Sequence, residues 1–400
     1  MIKRDIYLNK IIDFKDTSQL IKVISGVRRS GKSSLLMLYK EYLLEQSIGE
    51  ESIIFINFED FSFRELLSSE ALNNYITSKL VSNGKTYIFL DEIQLVEGWQ
   101  KVVNSLRLNP KNDIYITGSN AALLSGSLAT LLSGRYVEIK VYPLSFGEFL
   151  TFYNLEKENL VESFNQYMIY GGMPAIVDLP NKESVRNLYL MDIVNTIIVK
   201  DIATISQIRD IDLLNKLIEF LSSNIGKYTN ASKLAKYILT TGRKSSTETI
   251  DNYLKNLEDA FVFLKSKTFN LSGKQLMQTN NKYYIVDLGL RNAIIGSSVL
   301  DYGSSLENII YLELLRREFI VTTGRYKEWE VDFIAQKKEK RLYIQVSASI
   351  TDQNTLNREL RSLKAIDDNY PKLILTMDRL PYSDLEGIRI VNIIDFLLDL

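Results

Sequence analysis

From Gly26 to Ser34 the chain reads Gly26-Val27-Arg28-Arg29-Ser30-Gly31-Lys32-Ser33-Ser34. A glycine, four residues and then Gly-Lys-Ser is the pattern of a loop that cradles phosphate. Gly26 and Gly31 allow backbone conformations and a close approach that a Cβ would block. The backbone from Arg28, Arg29 and Ser30 through Ser34 would turn successive N–H groups into one small cavity, Lys32 would reach the β- and γ-phosphates, and the Ser33 hydroxyl would hold Mg²⁺. A second group of chemical side chains is Asp91-Glu92, which closes the apolar run Tyr87-Ile88-Phe89-Leu90. Two carboxylates at the end of a buried strand are costly unless something uses them. Asp91 would hold the metal through water, and Glu92 would polarise the water that attacks the γ-phosphate. There is no histidine and no cysteine. That excludes Ser-His-Asp and Cys-His catalysis and every His- or Cys-ligated metal, and leaves Mg²⁺ as the expected ion. The alternatives are a Gly/Ser turn before an ordinary helix, and an Asp serving as a solvated helix N-cap.

These groups need elements to hold them. Leu20-Ile21-Lys22-Val23-Ile24-Ser25 reads as a buried strand, and Leu35, Leu36, Tyr39 and Leu43 recur at helical spacing. The loop between them therefore sits at the positive end of a helix dipole, where a polyphosphate is favoured. Ser52 to Glu59 reads as a second strand, Tyr87 to Leu90 as the third and Asp113 to Thr117 as the fourth; Val137 to Tyr142 completes five. At 400 residues the chain exceeds one ordinary core, and about two to four domains are expected. Apolar residues make up 46%, enough to fill those cores. Lys plus Arg number 48 against 49 Asp plus Glu, so no overall basic field draws the chain to nucleic acid or anionic lipid, and such a contact must be a local patch. No apolar run reaches about 18 residues and the first residues lead into no signal-like segment, so a soluble cytoplasmic protein without membrane contact is expected.

With Gly118-Ser119-Asn120 at the end of the fourth strand, the sequence resembles the AAA-superfamily ATPases, in which a polar residue at this point senses the γ-phosphate. The resemblance implies ATP as ligand and Asn120 as that sensor, with Ser119 second. Arg135, in Leu131-Leu132-Ser133-Gly134-Arg135-Tyr136, sits where the resemblance would put an arginine finger or sensor; a surface arginine is the other reading. A finger acting on a neighbouring chain would imply a homo-oligomer. The core of this type would span residues 1–147.

Residues 148–210 turn helical, with a turn at Gly171-Gly172-Met173-Pro174, and are expected to form a lid or linker. In 211–285, helices over Leu213–Leu221 and Ala231–Leu239 and a third from about Ser246, followed by the strand-like Phe261–Lys265, make a winged helix. Its third helix would enter a major groove of duplex DNA, and Lys227, Lys233, Arg243, Lys244 and Lys255 give it a basic edge. The same unit could instead contact a protein partner or pack as an ATPase lid.

Residues 303–400 follow one helix, three strands, a helix and a further strand, and the expected domain of residues 286–400 resembles the restriction-endonuclease-like fold. That family binds a divalent metal with a glutamate on the helix, an aspartate on one strand and Glu-x-Lys on the next. Glu307 and Asp332 match the first two, but Gln345-Val346-Ser347 stands in place of Glu-x-Lys. A neutral amide and a hydroxyl supply neither the charged ligand nor the ammonium, which implies a binding or docking unit rather than a nuclease. The whole is identified as a member of a group of prokaryotic ATP-binding proteins. Its expected fold is α/β, with a P-loop AAA-type parallel sheet core, a helical and winged-helix middle and a C-terminal restriction-endonuclease-like α/β domain. The function expected is Mg²⁺-dependent ATP hydrolysis coupled to DNA or a protein; a nucleotide-gated switch with little turnover and an ATP-dependent nuclease are the alternatives.

Overall fold

A parallel sheet covered by helices on both faces has no wet side, so its strands read as short apolar runs rather than as alternating ones. All five expected strands are present. The computed structural model describes residues 2–120, 134–155, 159–180, 182–203, 208, 210–273, 275–277, 280–296 and 301–399. Leu131-Leu132-Ser133, on the approach to Arg135, lies outside the described residues. The chain forms two compact units, Met1–Val141 with Asp259–Phe261, and Tyr142–Glu258 with Val262–Leu400.

The first unit runs α1 (Asp5–Asp13), β1 (Ile21–Ser25), α2 (Lys32–Glu45), β2 (Ile53–Asn57), α3 (Ser69–Lys79), β3 (Thr86–Asp91), α4 (Trp99–Leu106), β4 (Asn112–Gly118) and β5 (Tyr136–Lys140). The strand order is β2-β3-β4-β1-β5, parallel throughout. Alternation within the strands divides the core in two. Ile21, Val23, Ile54, Ile56, Ile88, Leu90, Ile114 and Ile116 face α3 and α4. Ile24, Phe89, Tyr115 and Ile139 face α1 and α2, which supply Tyr7, Ile11, Leu35, Leu36, Tyr39 and Leu43. Each large aliphatic or aromatic side chain so buried contributes roughly 1.5–3 kcal/mol.

One ion pair lies inside this core. The Lys22 ammonium meets Asp113, and both side chains are fully buried. Lys22 also donates to the carbonyl of Leu20 at 3.1 Å. Asp113 accepts from the Tyr115 hydroxyl at 2.8 Å and from the backbone N–H of Asp16 at 3.0 Å. Every polar atom of the pair that burial strips of water is thereby given partners.

The second unit begins with α5 (Phe146–Tyr153), opened by a capping box between Ser145 and Glu148. It continues through α6 (Leu160–Tyr170) and α7 (Glu183–Thr196), which passes into a π-helical turn at Ile197–Ala203. Then follow α8 (Ile211–Ser223), α9 (Ala231–Thr240), α10 (Thr247–Asp259), β6 (Phe263–Ser266), β7 (Thr268–Asn270), β8 (Gln275–Leu276), β9 (Lys282–Ile285) and α11 (Leu288–Ile295). The last part is α12 (Tyr302–Arg316), β10 (Ile320–Tyr326), β11 (Trp329–Lys337), β12 (Lys340–Ser347), α13 (Gln353–Lys364), β13 (Lys372–Thr376), β14 (Asp384–Leu385), β15 (Ile388–Asn392) and α14 (Ile393–Leu398). An eight-stranded mixed sheet has the order β14-β15-β13-β12-β11-β10-β7-β8. Three helices, α8 to α10, and the antiparallel pair β6/β9 lie in the middle of the chain. The chain between those two strands is unexpected: β7 leaves to pair in parallel with β10 and so extends the C-terminal sheet. The tail also adds β14 and β15 beyond the single strand expected after α13. Among the described residues no helix is long and apolar enough to cross a membrane.

The Gly171-Gly172 turn is held by a buried acid. Asp287 caps α11 by accepting the Leu290 N–H at 3.1 Å and also accepts the Gly172 N–H at 2.6 Å. A Cβ on Gly171 would stand 2.2 Å from the Asp287 carboxylate, so only glycine fits. Burial pushes the Asp287 carboxyl up to about 6, against the opposing pull of the N–H groups of Gly172, Leu290 and Gly289. The folded state thus holds this proton more tightly than the unfolded chain, whose aspartates titrate near 3.9. The stability it contributes is complete below about pH 4 and is lost as pH rises through about 6. Denaturation of wild type and Asp287→Asn at pH 4 and pH 7 should show the variant lacking about 2 kcal/mol of pH dependence. Equal pH slopes would mean that Asp287 titrates normally.

Candidate nucleotide site and a second carboxylate cluster

Parallel strands deliver their C-terminal ends to one edge of the sheet. Ser25 pairs with Gly118, and Asn57 with Asp91, so the loop after β1, the acids after β3 and the polar end of β4 share that edge. Gly26 has φ of +146°, and a Cβ on it would fall 2.2 Å from the Val141 carbonyl oxygen. Gly31 caps α2 at φ +97°. Lys32 is buried, and its ammonium donates to the carbonyls of Gly26 and Val27 at 3.0 and 3.1 Å. The loop therefore wraps its own lysine. Ser30 is fully buried and its hydroxyl oxygen has no hydrogen-bond partner; its carbonyl accepts from Arg4 at 2.9 Å. Ser33 is half-buried, while Arg29, at φ +64°, and Ser34 are exposed. Arg28 reaches the Glu59 carboxylate at 3.1 Å.

Asp91 and Glu92 are both buried, and one hydroxyl holds them. Thr117 of β4 donates to Asp91 Oδ1 at 2.5 Å and accepts the Glu92 N–H at 2.9 Å. Glu92 occupies the left-handed region at φ +55°, a conformation that costs a non-glycine residue free energy and persists because its N–H is fixed. Its side chain accepts from the Gln94 amide. Burial raises the Asp91 carboxyl, against the Thr117 and Ser33 hydroxyls and the Lys32 charge. Burial likewise raises Glu92, against the charges of Lys32 and Arg28 and the Gln94 amide. Asp91 Oδ2 is buried without a partner. Two orphaned oxygens, Ser30 Oγ and Asp91 Oδ2, together with the glycine cradle, fit a bound polyphosphate and a hard cation.

Asn120 and Ser119 are buried just beyond the end of β4 on this edge. Arg135 is elsewhere. It is exposed, and its carbonyl accepts from the N–H of Ile21 at the opposite end of β1; Arg107 is lowered from its ordinary value by its own desolvation and, after that, by the Arg135 charge. The length of β1 separates it from Ser25 by roughly 13 Å, more than an arginine side chain spans. A sensor acting on the phosphate loop of its own chain is therefore the reading of Arg135 that does not fit, because strand direction places it at the other edge. Sequence reasoning passed over Thr117, which looks like an ordinary β-branched strand residue, and Glu59, whose only signal is its place at the end of the second strand.

In the second unit Glu307 and Asp332 do come together, and a lysine from β9 lies among them. The Lys282 ammonium is 2.8 Å from Glu307, 2.5 Å from Glu330 and 4.0 Å from Asp332, with 4% of its side chain exposed. Burial alone would lower this ammonium; the carboxylates of Glu307, Asp332 and Glu330 outweigh it and hold it above its ordinary value. Gln345 accepts the Asp332 N–H at 2.6 Å and donates to Glu359 at 2.8 Å. Ser347 donates to the Ser349 carbonyl at 2.9 Å. A glutamate at 345 would therefore face Glu359, so Gln345→Glu with Ser347→Lys would disturb this network.

A family model described as an AAA domain matches residues 18–150, and one described as a domain of unknown function matches residues 161–301. An uncharacterized protein of Haemophilus influenzae is 45% identical over 403 residues, covering 100% of this chain and 99% of its own length. Another, of Methanocaldococcus jannaschii, is 33% identical over 379 residues, covering 90% of this chain and 82% of its own. Among solved structures, the Walker-type ATPase of Pyrococcus abyssi has a TM-score of 0.51 at 16% identity, covering 74% of this chain and 96% of that one; the likeness is one of fold. With its glycine-rich loop between β1 and α2 and its five-stranded parallel sheet, the chain belongs to the family of these two relatives, within the AAA superfamily.

Proposed function

We propose that the protein is a Mg²⁺-dependent ATPase whose appended parts engage a protein partner. The observation that carries this reading is the Thr117 bridge, which fixes two buried carboxylates on the sheet edge that also carries Lys32. In this reading the N–H groups of the loop from Gly26 through Ser34 bind phosphate oxygens, and Lys32 leaves the loop carbonyls for the β- and γ-phosphates. Ser33 and Asp91 hold Mg²⁺, which when bound neutralises phosphate charge. Glu92 takes the proton of the attacking water, and its raised affinity for a proton suits that task. Asn120 holds the γ-phosphate. Arg135 is assigned to the site of a neighbouring copy.

The partner is argued from charge. The exposed face of α10 carries Thr247, Glu248, Asp251, Asn252 and Lys255, two acids against one lysine, a poor match for phosphate. Arg243 is held by Asp210 and Asp212 at 2.8 and 2.9 Å, Lys233 donates to the Tyr228 carbonyl, and Lys227 lies 3.9 Å from Asp301. These observations favour a winged helix used for protein contact over one that reads duplex DNA. The domain limits at residues 147 and 210 belong to this proposal; a limit at 285 does not, because β7 and β8 before it pair into the C-terminal sheet.

Steady-state ATP hydrolysis with Mg²⁺, with and without duplex DNA, tests both halves. Turnover unchanged by DNA is expected; several-fold stimulation would restore the DNA reading, and no turnover under any condition would favour a switch. Thr117→Val keeps the shape and removes both hydrogen bonds, so kcat should fall about 10–100-fold with little change in KM, as for residues that orient functional groups. Unchanged kcat would mean that Thr117 merely fills the strand.

A further inference from the structure

The restriction-endonuclease-like resemblance implies a divalent metal between Glu307 and Asp332, and the residues present do not fit one. Among the described residues no group of three or more acidic side chains is arranged to hold a metal ion. Each candidate ligand is already engaged. Glu307 Oε1 receives the Lys282 ammonium and the Tyr284 hydroxyl. One Asp332 oxygen accepts the Val346 N–H at 2.8 Å. Gln345 is spent between the Asp332 backbone and Glu359. The ring of Tyr228 covers the ammonium at 5.5 Å from its centroid, a favourable position for a cation over an aromatic face.

We propose that Lys282 is a tethered cation that takes the place of the divalent metal: its ammonium pairs with Glu307 and Glu330 and lies beside Asp332, and the cluster binds no Mg²⁺ or Mn²⁺. The donor is held by the fold. Lys282 begins β9, in register with Ser266 of β6, so its ammonium is delivered by a backbone ladder. A covalently held charge is present at an effective concentration well above that of a dissolved ion, and it cannot diffuse away. It also has the wrong chemistry for a nuclease. An ammonium at the metal position offers three N–H donors and no open coordination site for water, so the carboxylates gain a cation without acquiring a Lewis acid.

The test uses the full chain without nucleotide and Mn²⁺ as the probe, read by electron paramagnetic resonance and thermal unfolding. Wild type and Asp332→Asn should take up the same small amount of Mn²⁺, and Mn²⁺ should leave the second unit's unfolding temperature unchanged. Lys282→Ala opens the position and leaves three partly buried carboxylates without their cation, so its unfolding temperature should drop by about 10 °C. Millimolar Mn²⁺ should restore much of that loss and bind one further equivalent, and Asp332→Asn in the same background should abolish both effects. If Lys282→Ala does not fold, Lys282→Ala with Glu307→Gln removes one charge of each sign and should fold. Its failure would overturn charge pairing as the role of Lys282. Uptake of Mn²⁺ by wild type that Asp332→Asn removes would overturn the proposal and return a metal site to this domain. So would a Lys282→Ala protein as stable as wild type, or one that is destabilised yet gains no Mn²⁺.

Discussion

Replacing Glu92 by glutamine should slow ATP cleavage by about 100-fold or more and leave ATP bound. The substitution keeps the side chain's shape and the N–H bond to Thr117 that fixes its backbone. It removes only the group able to accept a proton from water. Lys32→Ala should act differently, weakening ATP binding itself, because Lys32 contacts phosphate in the ground state as well as in the transition state. Burial raises the Glu92 carboxyl, and a base works only when deprotonated. The wild-type rate should therefore begin to fall, as pH is lowered, at a pH above the ordinary carboxylate range, and Glu92→Gln should lack that limb. Binding of a fluorescent ATP analogue beside a turnover assay across pH separates these effects; wild-type turnover in the variant would remove Glu92 from the chemistry. Mixing Glu92→Gln chains with Arg135→Ala chains bears on the arginine. Partial recovery of activity is expected if Arg135 serves a neighbour's site, and none would make it a surface residue.

The largest effect on stability is expected at Asp113. Lys22 and Asp113 have no access to water, and burial lowers the Lys22 ammonium against the pull of Asp113. Asp113→Ala leaves that ammonium buried and uncompensated and deprives the Tyr115 hydroxyl and the Asp16 N–H of their acceptor. A loss of about 3–5 kcal/mol is expected from chemical denaturation of the first unit. Lys22→Met with Asp113→Leu should cost clearly less than Asp113→Ala, because apolar replacement removes both charges together. A cost below about 1 kcal/mol for Asp113→Ala would mean that water reaches the pair.

The phosphate loop and its flanking elements were legible because chemistry and local conformation coincide there. Two glycines at fixed spacing, a β-branched run before them and helical periodicity after them all describe one strand–loop–helix unit. Asp91 and Glu92 were legible for the same reason, as acids that end an apolar run. What the sequence concealed is long-range. Thr117 matters through contacts 25 and 26 positions away, and nothing local distinguishes it from a strand former. Arg135 follows a motif-like stretch, yet strand direction puts it at the edge away from the loop, which no local pattern encodes. Lys282 reads as a polar residue starting a short strand, and its value depends on Glu307, Glu330 and Asp332, supplied by a helix and a strand that come later. The tail's departure from Glu-x-Lys was visible; the lysine that answers it was not.

The position of β7 bears on how the chain is made. All five strands of the first sheet lie between residues 21 and 140, so a chain emerging from the ribosome can complete that sheet before the strands of the second one are made. The second sheet has no such early endpoint. Residues 268–270 must wait for their parallel partner at 323–325, some fifty codons later, and the strand at 388–392 arrives more than sixty codons after that. In the interval the edge of β7 is exposed with its partner still unsynthesised. Ribosome stalling within those fifty codons should therefore yield a nascent chain with a protease-resistant first unit and a sensitive second one, the opposite of what a self-contained middle domain would give.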